Sequence, residues 1–262
     1  MTSSASTDIL GTPDRASVGS LLSDACLVSG EGLANQIYRL LWDLIVNIQL
    51  QPGQLVSEKE IAESLNSSKT PVREALIRLE EAGLVNVVPK SGTYVTPIRI
   101  NTYIGACFIR LQLETGAVRR AAIQPSHRQS QLTEIIKEQE KAIENEDFPL
   151  FFILDERLHE AFFIVAGIPA VWPVVKRTQS EVYRMRKLKR MFRINRRAQV
   201  LNQHRAIVDA IQSCNPDAAQ VALTNHIGSL EGELQELSAL PELLAFIEES
   251  TVGRQRSRTP RL

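Results

Sequence analysis

The sequence predicts a mainly α-helical protein in two parts, and three observations lead to that prediction. Apolar residues recur at spacings of three and four along most of the chain, which indicates amphipathic helices. β-branched runs that favour strands occur at residues 84–88 and 93–95, around Pro89-Lys90-Ser91-Gly92. Beyond about residue 100 the patterns are helical only. We therefore expect three helices and a β-hairpin, followed by an all-α helical bundle.

Composition sets outer bounds on function. The chain has 262 residues, and its 30 Lys+Arg balance its 30 Asp+Glu, so any nucleic-acid binding must rest on local placement of charge. The three cysteines, Cys26, Cys107 and Cys214, show no CxxC spacing, which argues against a disulfide framework or a thiolate zinc site. No apolar run approaches the ~18 residues of a membrane span. We expect a cytoplasmic protein with no membrane partner.

The N-terminal third carries recognisable helix boundaries. Residues 1–30 are rich in small and hydroxyl residues and predict a flexible arm. A helix begins at Leu33 and stops at Gln51-Pro52-Gly53. Ser57 with Glu60 three residues later is a capping-box pattern that opens a second helix through Leu65. Thr70 is predicted to cap a third helix, with Pro71 at its first position.

The order of these elements predicts an architecture. Three helices and a hairpin within residues 31–98 are the layout of a winged helix-turn-helix. Residues 99–242 predict the all-α bundle, and residues 243–262 a C-terminal tail.

The first turn of the third helix has the chemistry of a DNA contact. In a helix-turn-helix this turn faces base edges, so Ser68 and Thr70 can donate to phosphates and Arg73 can pair with guanine. Lys69 shares that face, and Lys59 at the start of the preceding helix is placed for a phosphate. An ordinary solvated helix start is the alternative, since residues 31–99 hold 7 Lys/Arg against 8 Asp/Glu.

Residues 37–97 resemble the DNA-binding domain of GntR-type bacterial transcription regulators. The resemblance lies in the Pro-Gly pair, the S-x-TPVREAL-RLE-GLV run and the wing glycine, which occur in order. The family usually has arginine where this chain has lysine at position 69, which loses the bidentate fork. The resemblance implies DNA contacts from Lys59, Ser68, Lys69, Thr70 and Arg73, with Gly92 at the wing tip.

Three of the four histidines have spacings that suggest a metal site. Asp155 and His159 are four apart, so both project from one helix face. His204 and His226 lie eleven residues on either side of Asn215, where Asn-Pro-Asp breaks the helical pattern. Two antiparallel helices folded at that break would bring both imidazoles level. Such a set suits zinc, nickel or manganese, which ligand type does not distinguish.

Residues 104–240 resemble the FCD effector-binding domain of the FadR subfamily. The resemblance is carried by Arg110-x-x-x-Glu114, Asp155-x-x-x-His159, and the segments around His204 and His226. It implies that Asp155, His159, His204 and His226 hold a divalent metal, and that Arg110 helps bind a small carboxylic-acid effector. One departure is Gln203, where a Glu is common.

Together these patterns predict a transcription regulator rather than an enzyme. We expect a repressor, a homodimer on a palindromic double-stranded DNA operator, released by an organic acid. A metal-dependent hydrolase and a metal sensor are the alternatives. The basic stretch from Lys176 to Arg197, with ten Lys/Arg and one Glu, could touch DNA, but we favour a helix with an apolar core face and with arginines that are solvated, pair with acidic helices or line the effector pocket.

Overall fold

The computed structural model of the chain describes residues 16–28, 30–192, 197–228 and 230–252. Its elements confirm the predicted fold class: helices dominate, and the three strands found among these residues form one small sheet. A 3-10 turn at Pro169–Val171 joins two of the helices. The helices are α1 (Val18–Leu21), α2 (Leu33–Val46), α3 (Glu58–Ser64), α4 (Lys69–Glu81), α5 (Ile100–Ala122), α6 (Ser126–Glu144), α7 (Phe148–Val165), α8 (Trp172–Thr178), α9 (Ser180–Met191), α10 (Arg197–Gln212), α11 (Pro216–Ile227), α12 (Leu230–Ser238) and α13 (Pro241–Val252).

The elements group into two compact units. The N-terminal unit contains α1–α4, the three strands, α9 and α13; the bundle unit contains α5–α8 and α10–α12. The sequence suggested a contiguous division, with all helices after residue 99 in the second part. The structure differs because α9 and α13 pack with the N-terminal elements.

The three predicted N-terminal helices and the hairpin are present. β2 (Val85–Val88) pairs antiparallel with β3 (Gly92–Val95), and the short strand β1 (Leu55–Val56) pairs with the other edge of β3. The register places Val88 opposite Gly92, so the turn consists of residues 89–91. This is a winged helix-turn-helix.

Part of the predicted N-terminal arm is packed rather than extended. The side chains of Val18 in α1 and of Leu22, its C-cap residue, are buried. Two side chains of the winged helix-turn-helix donate to backbone oxygens of this segment. Gln54 Nε2 donates to Ala16 O at 2.8 Å, and Ser64 Oγ donates to Gly19 O at 3.0 Å. The expected arm therefore contributes a helix to this unit, and residues 1–15 lie outside the described part of the chain.

The N-cap of α4, the recognition helix of the helix-turn-helix, lies two residues earlier than the sequence suggested. Ser57 caps α3 as predicted and accepts from Glu60 N at 3.3 Å. Ser68, not Thr70, is the N-cap of α4, and the helix begins at Lys69. Pro71 is tolerated at the third position because the N–H groups of the first turn have no intrahelical partner.

The basic stretch is broken into α8 and α9, and α9 has a buried face. Val182, Met185 and Leu188 are buried, as predicted for a core-facing helix. Arg184 is also buried, with no exposed surface, and its Nη2 donates to Thr96 O at 2.6 Å. Its Nη1 lies 3.2 Å from Glu181 Oε1. Both terminal nitrogens of this guanidinium therefore have partners within the N-terminal unit, while its buried Nε has no hydrogen-bond partner among the described residues.

The remaining helices form the predicted bundle. Its core is one continuous cluster that includes Ala117, Leu132, Leu158 and Phe162, all with no exposed surface. The predicted tail differs in part, because residues 241–252 form α13, and Leu243 is buried. Residues 253–262 of that tail lie outside the described residues. Among the described helices none is both long and apolar enough to cross a bilayer.

Candidate functional site

The first turn of α4 forms an exposed polar surface. Ser68, Lys69, Thr70 and Arg73 are all exposed, as the sequence predicted for DNA-contacting residues. The opposite face of α4 is anchored by Val72, Ala75, Leu76 and Leu79, which are buried. The helix is therefore fixed by its apolar stripe, while its N-terminal turn is left available to a partner.

Two charged pairs lie beside this turn. Arg73 Nε donates to Glu58 Oε2 at 3.0 Å, which links the recognition helix to the first residue of α3. Lys59, also predicted to contact DNA, lies 3.8 Å from Glu63 Oε1 and is 73% exposed. Sequence reasoning had not singled out Glu58, because its position opposite Arg73 depends on how α3 and α4 pack.

The wing has a conformational need for glycine. Gly92 has φ of 137°, and a Cβ there would lie 2.8 Å from Leu55 Cδ1. The resemblance placed Gly92 at the wing tip, but the structure places it at the start of β3. The exposed tip is formed by Lys90, with φ of 62°, and Ser91.

In the bundle unit, the four predicted metal ligands come together. Asp155 and His159 lie on α7, His204 on α10 and His226 on α11. One ligand atom from each falls within 4.8 Å of all the others. The His204 and His226 rings are 4.6 Å apart, so the two helices do fold back at Asn215 and bring the imidazoles level.

Each of the three clustered histidines has a side-chain partner at Nδ1. His159 Nδ1 lies 2.5 Å from Glu114 Oε2, His204 Nδ1 lies 2.9 Å from Gln139 Oε1, and His226 Nδ1 lies 3.3 Å from Gln203 Oε1. These oxygens can only accept, so the proton of each neutral ring is assigned to Nδ1. The lone pair of each Nε2 is then directed to the centre of the cluster.

This arrangement of lone pairs fits a cation. His226 Nε2 and His159 Nε2 are 3.2 Å apart, and His204 Nε2 is buried without a hydrogen-bond partner among the described residues. Asp155 Oδ1 lies 3.4 Å from His204 Nε2 and 4.0 Å from His159 Nε2. Ligands about 2.1 Å from a metal ion lie about 3.0–4.2 Å from one another across tetrahedral and octahedral coordination, and these spacings fall within that range.

Electrostatics keep His159 and His226 in the neutral form that can coordinate a metal. Burial, with a further contribution from Arg110, lowers the pKa of His159 to about 4. Burial and the two neighbouring rings likewise lower the pKa of His226 well below its ordinary value. Neutral imidazoles at pH 7 need lose no proton before they coordinate an ion.

Arg110 acts on this cluster through Glu114. Its Nε donates to Glu114 Oε1 at 2.7 Å, and both side chains are buried. Burial would raise the pKa of Glu114, but Arg110 and His159 outweigh it, so the pKa is lowered and the carboxylate stays ionised. Two hydrogen bonds, with Glu114 between them, thus connect the predicted effector residue to the predicted metal ligand His159.

The sequence therefore predicted which four residues cluster but not all of the side chains that hydrogen-bond to them. The i, i+4 spacing to Arg110 was a usable signal for Glu114, and the departure at Gln203 marked the partner of His226. Nothing in the sequence pointed to Gln139, which comes from α6.

An exposed recognition turn on a winged helix, joined to a helical bundle with a buried polar cluster, defines a DNA-binding transcriptional regulator. Family models agree with each part: residues 33–95 match the GntR family of bacterial regulatory proteins, and residues 106–229 match the FCD domain. The chain belongs to the GntR family and carries an FCD domain. It is a transcriptional regulator and not an enzyme, which removes the hydrolase alternative.

Known relatives support this assignment. The chain is 32% identical over 203 residues to the HTH-type transcriptional repressor RspR of Escherichia coli K12, covering 77% of this chain and 89% of that protein. It is 30% identical over 220 residues to an HTH-type regulator of Streptomyces ambofaciens, covering 83% and 92%. Among solved structures, E. coli McbR/YncC has a TM-score of 0.62 at 21% identity, covering 81% and 98%, which shows a shared fold.

Proposed function

We propose that this regulator is a cytoplasmic repressor that binds a double-stranded DNA operator as a homodimer and is released by a small carboxylic acid. The observation that carries the ligand-responsive part is the convergence of three Nε2 atoms and one carboxylate within 4.8 Å in the bundle unit. In this proposal Asp155, His159, His204 and His226 hold one divalent ion, such as zinc, nickel or manganese. Repression is suggested by the relative RspR, which is named a repressor.

On the DNA side, α4 supplies the reading surface. Arg73 would pair with a base edge in the major groove, while Ser68, Lys69 and Thr70 position the helix on the backbone. Lys59 would add a phosphate contact, and the wing at Gly92 and Lys90 would approach the neighbouring minor groove. Two copies related by a twofold axis would match a palindromic operator.

On the effector side, a bound ion would offer coordination positions to a carboxylate. Four protein ligands leave two positions when the ion is six-coordinate. Arg110 would respond to the same ligand, because its guanidinium forms an ion pair with Glu114, and Glu114 also contacts the ring of His159. His204 lies on α10, which follows in sequence the α9 helix of the N-terminal unit. This continuity supports an effect on operator affinity, for which coupling free energies of about 1–3 kcal/mol are typical.

The test is a fluorescence-anisotropy titration of the full chain against a duplex selected from a random library by the wild-type protein. We expect salt-dependent binding that is weakened by one acid of a carboxylic-acid panel and responds to chelator. A metal-sensor function is the second candidate, since the cluster alone suffices to bind an ion. In that case metal without any acid would change operator affinity.

Two substitutions test the reading surface within the same assay. Arg73→Ala should cost about 10- to 100-fold in affinity for the selected duplex and relax its sequence preference. Lys59→Ala should weaken binding about equally for selected and scrambled duplexes, because a phosphate contact carries no sequence information. An unchanged preference in Arg73→Ala would contradict the base contact.

A further inference from the structure

Glu58 faces Arg73 across the helix-turn-helix. The two residues are fifteen apart in sequence, and Arg73 Nε donates to Glu58 Oε2 at 3.0 Å. The Arg73 side chain is 65% exposed and that of Glu58 is 28% exposed. A carboxylate therefore lies directly beside the exposed arginine that is proposed to read a base.

The atom used by this contact matters for base reading. A guanidinium has five N–H donors in a planar fork, and the contact to Glu58 uses the one on Nε. The edge formed by Nη1 and Nη2 keeps two parallel donors, which is the pattern that matches O6 and N7 of guanine. A fixed Nε contact sets the plane of the fork, so less rotamer freedom is lost when a base is bound.

Glu58 is itself held in place. It is the first residue of α3, directly after the Ser57 cap, where the helix N-terminus favours a negative charge. Its second oxygen, Oε1, is buried and has no hydrogen-bond partner within the described part of the chain. The carboxylate therefore has Arg73 as its observed hydrogen-bonding partner.

A carboxylate at this surface also has a cost in binding. DNA presents a dense array of phosphate charges, and a fixed negative charge at the reading turn weakens binding to any sequence. The cost can be offset only where Arg73 meets a matching base. The pair thus favours discrimination between sequences over affinity for DNA in general.

We propose that Glu58 is a specificity-determining residue that positions the guanidinium of Arg73 and suppresses non-specific DNA binding. The inference rests on the proposed base contact of Arg73. It assigns to Glu58 a functional role in sequence recognition beyond its place at the start of α3.

The experiment measures dissociation constants of full-length variants for the selected duplex and for a scrambled duplex of equal length. Glu58→Gln removes the negative charge and weakens the hydrogen bond from Arg73 Nε. The affinity of this variant for the scrambled duplex should rise several-fold. The ratio of the dissociation constant for the scrambled duplex to that for the selected duplex should fall about tenfold. Glu58→Asp keeps the charge but retracts it by one methylene, so its ratio should fall while scrambled-duplex affinity stays near wild type.

Glu63→Gln is the matched control. Glu63 lies on the same helix, is 65% exposed and pairs with Lys59 rather than Arg73. The control removes an identical charge, so both affinities should rise together and the ratio should stay at its wild-type value. If Glu58→Gln changes the ratio no more than Glu63→Gln does, the specificity role is overturned.

Arg73→Ala separates this inference from the proposed function. If the ratio falls in Arg73→Ala but stays at its wild-type value in Glu58→Gln and Glu58→Asp, the base contact of Arg73 stands and the role of Glu58 is wrong. If the ratio stays at its wild-type value in Arg73→Ala, both the base contact and the role of Glu58 are wrong. In the Arg73→Ala background, Glu58→Gln should leave the ratio unchanged, and thermal melts of each variant should show a wild-type fold.

Discussion

The two functional regions of the molecule are built in opposite ways. The proposed reading surface is largely exposed and takes its residues from a short stretch, Glu58 to Arg73, whereas the Asp/His cluster is largely buried and takes its residues and their partners from five helices between Arg110 and His226. An exposed surface can lose a side chain with little change in the stability of the fold. A cluster that converges on a centre depends on supports that are also part of the core.

Removal of a cluster ligand should give the largest effect. His159→Ala takes away one of three Nε2 ligands and leaves the Arg110–Glu114 pair behind. Since changes to supporting partners alone cost about 10- to 100-fold in metal affinity, loss of a ligand should cost more than about 100-fold. We expect stoichiometric metal in the wild-type protein and almost none in the variant, as measured by elemental analysis after dialysis.

His127→Ala is the control for that measurement. His127 is exposed at the start of α6 and is not part of the cluster. Its metal content should equal that of the wild type. Equal metal loss in both variants, or full metal content in His159→Ala, would contradict the assignment of the ligands.

Two arginines sharpen the comparison between exposed and buried sites. Arg184 is fully buried and donates to Thr96, while Arg73 is 65% exposed. Arg184→Ala leaves the Glu181 carboxylate with less compensation and should reduce the free energy of unfolding by about 3–5 kcal/mol. Arg73→Ala should stay within about 0.5 kcal/mol of wild type.

Urea denaturation monitored by circular dichroism checks this pair of variants. The expected midpoint falls clearly for Arg184→Ala and hardly moves for Arg73→Ala. Similar midpoints for the two would show that the buried arginine adds no more stability than the exposed one.

Acid should destabilise the protein through the buried histidine His159. The pKa of His159 is lowered from its ordinary value of 6.5 to about 4 in the folded protein. Between these values the unfolded chain binds more protons, so unfolding becomes more favourable as pH falls. The contribution of this residue is fully present above about pH 6.5 and is lost progressively toward pH 4. Thermal melts of metal-free protein from pH 7.5 to 4.5 should show the decline, which His159→Asn should reduce.

The same contrast explains what could be predicted from the sequence. The exposed turn at the start of α4 was predictable, apart from its cap residue, because its charges and the apolar stripe lie within one helix. His204 and His226 were predictable because Asn215 marks the fold between them. Gln139 was not, because its role depends on which face of α6 packs against α10, and Arg184 was not foreseen at Thr96 because its partner lies 88 residues away.

The smallest expected effect concerns Gln203, a position where a Glu is common in FCD domains. Gln203 Oε1 lies 3.3 Å from His226 Nδ1, so Gln203→Glu would replace a neutral acceptor with a carboxylate. A carboxylate partner makes the imidazole a stronger ligand and should tighten metal binding about tenfold, partly offset because Gln203 Nε2 no longer donates to Asn225 O. Competition with a metal chelator measures this change. Gln212→Glu, an exposed position on the same helix, adds equal charge outside the cluster and should leave metal affinity near wild type. Equal tightening in both variants would mean that net charge, rather than the hydrogen bond to His226, sets the affinity.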